Sequence, residues 1–77
     1  MDSLISLSGT ILTISADTDT SWSCRVNGNI SLSKYYGNGN DTIDIYYSST
    51  NPYAVIYFLA HNDCIENTQI IEFPLDN

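Results

Sequence analysis

The stretch Gly37-Asn38-Gly39-Asn40-Asp41-Thr42-Ile43-Asp44-Ile45-Tyr46-Tyr47 decides the fold class. Its first four residues form a turn signal, because Gly and Asn tolerate positive φ at little steric cost. The residues after it alternate. Ile43, Ile45 and Tyr47 fall on one face of an extended chain, and Thr42, Asp44 and Tyr46 on the other, which is the period of a half-buried β-strand.

The same period runs outward from this stretch in both directions. Upstream, Leu12, Ile14 and Ala16 alternate with Thr13 and Ser15, Trp22, Cys24 and Val26 alternate with Ser23 and Arg25, and Ile30 and Leu32 continue the pattern. Downstream, Tyr53 to His61 is apolar on both faces and rich in aromatic and β-branched residues, which predicts a central strand. Gln69 to Leu75 closes the chain with Ile71, Phe73 and Leu75 on one face. Pro74 has no N–H to give a ladder, so this strand belongs at a sheet edge. Further turn clusters stand at Asp17 to Thr20, Asn27-Gly28, Ser48 to Pro52 and Asn62 to Asn67. Turns about every ten residues between short strands predict an all-β sandwich of six or seven antiparallel strands with no substantial helix.

A chain of 77 residues with 43% hydrophobic content fits one domain, residues 1–77. A domain this small buries only about 60% of the surface of its unfolded chain, so a supporting surface, a partner or a disulfide would help it. Nine acidic residues against two basic ones, Arg25 and Lys34, give a net charge of −7. That balance argues against nucleic acid and anionic lipid as partners. The carboxylates are scattered singly, so they do not imitate a phosphate track. The start of the chain goes straight into strand-like sequence without the basic and apolar regions of a secretory signal, which predicts a cytoplasmic product. The longest apolar run is strand-sized, so no membrane span is expected.

Little in the sequence points to catalysis, a cofactor or a metal. His61, at the end of the most apolar strand, has no evident nucleophile or metal partner and reads as a surface or hydrogen-bonded residue. Asp17-Thr18-Asp19 resembles the opening of a calcium loop, but Trp22 stands where that loop needs Gly and Gly28 where it needs Glu, so a turn is the better reading. Cys24 and Cys64 could close a loop of about forty residues, worth roughly 3–4 kcal/mol. In a cytoplasmic product they are expected as two free, mostly buried thiols.

The six tyrosines are the stronger functional signal. Each offers a flat apolar face with a polar tip, suited to protein interfaces and to stacking on sugars. Tyr47 and Tyr57 follow the apolar alternation and are expected to pack within strands. Tyr35 and Tyr36, with Asn38 and Asn40 of the adjoining turn, are the expected exposed contact residues.

Five segments, in order, resemble the BACON domain, a family of Bacteroidetes-associated carbohydrate-binding modules. They are Gly9-Thr10-Ile11-Leu12-Thr13-Ile14, the polar turn Asp17 to Thr20, Ser21-Trp22-Ser23, Ile30-Ser31-Leu32-Ser33, and Gly37 to Ile45, and Asn51 fits the Asn-containing turn of that family. The resemblance covers about Ser6 to Phe73. Two departures are the apolar strand from Tyr53 to Leu59, where the family carries Arg and small polar residues, and the closing Phe73-Pro74-Leu75. The resemblance implies an immunoglobulin-like sandwich without catalytic residues. Joined to the missing leader and small size, it leads to the expectation of a bacteriophage capsid auxiliary (decoration) protein on the virion surface, touching capsid or other virion proteins. The alternative expectation is a module that binds host glycans or mucin, and an inhibitor of a host enzyme is a more remote one.

Overall fold

The computed structural model describes residues 4–64 and 66–74. Its strands are β1 (Ile5–Ser8), β2 (Ile11–Ile14), β3 (Ser21–Gly28), β4 (Ser31–Leu32), β5 (Tyr36–Asn38), β6 (Asp41–Tyr46), β7 (Ala54–His61) and β8 (Glu66–Phe73). They make two antiparallel four-stranded sheets, ordered β1-β2-β6-β4 and β5-β3-β7-β8, and no helix occurs among the described residues. The protein is all-β, as its alternation predicts, and the two sheets pack as a sandwich.

The register explains the packing. Leu12 lies opposite Ile43 between β2 and β6, and Ile5 opposite Ile14 between β1 and β2. In the second sheet Trp22 lies opposite Ala60, Cys24 opposite Phe58 and Val26 opposite Ile56. Because alternate residues point to one face, each sheet turns one apolar set inward. Phe58, Leu12, Ile14, Ile43 and Ile56 are fully buried at the centre of that layer. Trp22 and Phe58 meet there at 6.2 Å between ring centroids, and the indole Nε1 donates to the Gly39 carbonyl at 3.0 Å. The tryptophan ring leaves no room above β5: a Cβ on Gly37 would sit 2.7 Å from its Cζ2.

Several expectations change in detail. Eight strands form among the described residues rather than six or seven. The additional ones are β1, whose Ile5 and Leu7 alternate for only four residues, and β5, formed within the Gly-Asn stretch read above as a turn. The true turn is shorter: Gly39 takes a φ of 69° and the chain re-enters a strand at Asp41. β8 begins at Glu66, inside the expected Asn62 to Asn67 turn, and pairs along its whole length with β7. Leu75, placed in this strand by its sequence, lies outside the described residues. β7 is central between β3 and β8, and β8 is at the edge, as Pro74 predicts.

Candidate functional site

The candidate contact surface of this sandwich is the outer face of the β5-β3-β7-β8 sheet. The pleat that sends Trp22, Cys24, Ile56, Phe58 and Ala60 inward sends Ser23, Arg25, Tyr57 and Leu59 outward. Cross-strand registry then sets them in rows. One row runs Arg25, Tyr57, Ile70; the next runs Tyr36, Ser23, Leu59, Thr68. Tyr36 is 75% exposed, Ile70 62% and Leu59 36%. Large apolar side chains therefore stand together where a solvated sheet face would carry polar ones.

Arg25 is the positive charge of this face. Its guanidinium carbon lies 5.4 Å from the centroid of the Tyr57 ring, a cation–π arrangement that holds the side chain flat along the sheet. A shallow groove of about 290 Å³ follows, lined by Ser23, Arg25, Tyr57, Leu59 and Thr68 with Phe58 beneath. Among the described residues the ion pair is Lys34–Asp41, at 2.6 Å on the surface, so Arg25 has no carboxylate partner there. The Lys34 ammonium and the Thr42 amide hold the Asp41 carboxyl below its usual range. Glu66 and Glu72 lie outward on β8, at the two ends of the face. Tyr53 adjoins it, its hydroxyl 3.3 Å from Glu72 Oε1, and the negative charge of Glu72 raises the phenol's pKa.

The four residues expected to make contacts do not converge. Tyr36 and Asn38 point out from β5, and Asn38 Nδ2 donates to Ser21 Oγ at 2.9 Å. Tyr35, 41% exposed, folds back so that its hydroxyl accepts from the Leu32 amide at 3.0 Å. Asn40 is at one end of the sandwich, where its Oδ1 accepts from the Ala16 amide at 2.9 Å and ties the turn to the chain leaving β2. Asn40 thus positions backbone. Tyr57, expected to pack within its strand, instead lies on the outer face, partly covered by Arg25. Tyr47 lies just past β6 and packs against Phe73 at 5.8 Å between centroids, yet remains exposed.

Contributors that sequence reasoning missed are Leu59 and Ile70. Leu59 was hidden in a run that reads as buried on both faces, and the signal for Ile70 was its place out of phase with Ile71 and Phe73.

Other chemistry is sparse. His61 is exposed at the end of β7, opposite Ser21 and Glu66 in register. Asp17 accepts at its carbonyl from the Thr20 amide at 2.9 Å, the turn expected of this segment. The two thiols are free. Cys24 is buried and burial pushes its pKa up to about 11, whereas Cys64, expected to be mostly buried, is exposed in the turn between β7 and β8. No group of three or more His, Cys, Asp or Glu side chains placed to hold a metal occurs among the described residues. No helix among them is long and apolar enough to cross a membrane. No family model, curated protein or solved structure matches the chain.

Proposed function

We propose that this protein is a non-enzymatic structural protein that acts by contact, and that its setting is the surface of a bacteriophage particle, where it decorates the capsid. The observation that carries the contact role is the outer face built from Tyr36, Tyr57, Leu59 and Ile70 on a small, strongly acidic domain. Apolar side chains of this size gathered on one face mark a surface made to be covered. The capsid setting rests on the BACON-like order of segments joined to the small size of the domain, and the resemblance also brings the immunoglobulin-like reading of the topology. In support of that reading, the orders β1-β2-β6-β4 and β3-β7-β8 correspond to the A-B-E-D and C-F-G sheets of such domains, with β5 added beside β3. Quantitative mass spectrometry of purified particles is the test. A decoration protein is present in a copy number commensurate with the capsid lattice; its absence, or a few copies per particle, would reject the reading.

A second reading, recognition of host glycans or mucin, is favoured by Tyr36 and Asn38, which project from neighbouring outward positions of β5. Tyrosine supplies a stacking face and the amide a hydrogen-bonding partner for sugar hydroxyls. A glycan array checks it. Binding that is abolished by Tyr36→Ala supports the reading, and no binding to any glycan removes it.

A further inference from the structure

We infer that the outer face of the β5-β3-β7-β8 sheet is covered by a second copy of this chain, giving a face-to-face dimer. The inference rests on the reading of this face as a contact surface, and it names the partner.

Charge is the first argument. The chain carries −7 overall, so two copies repel, and any face on which they meet must be locally near neutral. The outer face meets that condition. It holds one cation, Arg25, and two carboxylates, Glu66 and Glu72, while Asp17, Asp19, Asp41, Asp44 and Asp63 lie off it. A basic partner would be drawn to those other surfaces instead.

Self-complementarity is the second. A twofold axis relates each residue to its own copy, so an isologous contact needs a row of apolar residues on the axis and opposite charges to either side. β7 supplies the row, with Tyr57 and Leu59 outward, and it lies between Arg25 on β3 and Glu72 on β8. An axis along β7 sets Leu59 against Leu59 of the second copy and lays each β3 over the other β8. Arg25 then faces Ile70 of the second copy, two residues from its Glu72 and within reach of a guanidinium. The carboxylate that Arg25 lacks among the described residues of its own chain is supplied across the interface.

Size is the third. With the axis along β7, the three eight-residue strands β3, β7 and β8 overlap and span about 26 by 14 Å, roughly 370 Å² of face per copy. Two such faces bury about 750 Å², the size of a weak, transient contact rather than of a permanent one. The dimer is therefore of modest affinity and concentration-dependent.

Sedimentation velocity of the full chain, from about 1 to 200 μM, reads this directly. The expected result is a reversible dimer, with Leu59→Asp and Ile70→Asp each raising the dissociation constant at least about tenfold while far-UV circular dichroism stays that of the parent. Arg25→Glu and Glu72→Arg each weaken the dimer, and the double variant R25E/E72R recovers it. A chain that stays monomeric throughout overturns the inference. So does a dimer indifferent to Leu59→Asp and Ile70→Asp, which would place the contact on another surface, or a charge swap without recovery. A monomeric chain found at full copy number on particles would overturn the dimer and leave the decoration reading standing; a dimer absent from particles would do the reverse.

Discussion

Gly37 and Trp22 form a tight pairing of a small and a large residue. An alanine Cβ at position 37 would press on the indole from backbone that cannot retreat, because Gly37 is held opposite Trp22 in the β3–β5 ladder. Gly37→Ala is expected to destabilise by about 1–3 kcal/mol, read from urea denaturation. The two thiols should differ as sharply. At pH 8 a thiol reagent is expected to modify Cys64 and leave Cys24 untouched until the protein is denatured, when two groups react. Cys24 also sets an alkaline limit. Its pKa rises from 9.0 to about 11 on folding, so between those values the unfolded chain loses a proton that the folded one keeps, and stability falls as pH rises. Comparing the urea midpoints of the parent and Cys24→Ala at pH 8 and 10 checks this: the parent should lose more. The buried tryptophan was legible in the sequence, since it sits in phase with Cys24 and Val26. The exposure of Cys64 was not, because that residue lies in a turn where no period relates side chains to a face.

Among the elements, β7 makes the clearest statement of which face does what. Phe58 and Leu59 are neighbours in sequence and opposites in environment, one fully buried and the other on the outer face. Phe58→Ala is expected to cost about 3–5 kcal/mol, enough to unfold much of a domain this small, while Leu59→Ala in the monomer should cost under about 1 kcal/mol. Denaturation at low protein concentration measures both. Periodicity located β2, β3, β6 and β7 well, because each keeps two or more apolar residues in phase. It failed at β5 for a physical reason: the absent side chain of Gly37, which reads as a turn former, is what lets this strand pass over an indole. It also read Tyr53 to His61 as buried on both sides, when the outer side chains Tyr57 and Leu59 belong to the candidate contact face. Composition alone does not distinguish a strand covered by its own domain from one covered by another molecule.

For the molecule as a whole, charge and topology are the two properties to consider. An excess of carboxylates acts against compactness, and added salt should relieve it. The melting temperature is therefore expected to rise between low ionic strength and about 0.5 M sodium chloride, where the Debye length falls to a few ångströms. An unchanged value would mean that the acidic groups are spaced widely enough not to feel one another. Topology has a kinetic consequence. Among the described residues the chain passes from one sheet to the other between β2 and β3, β3 and β4, β4 and β5, β5 and β6, and β6 and β7, so the hairpins between consecutive strands of one sheet are β1–β2 and β7–β8. β3 finds its full-length neighbour only in β7, after three other strands have been threaded between the layers. The β5-β3-β7-β8 sheet, and with it the closed sandwich, therefore cannot assemble until β7 and β8 are made, and refolding should run on the millisecond-to-second scale of non-local β proteins.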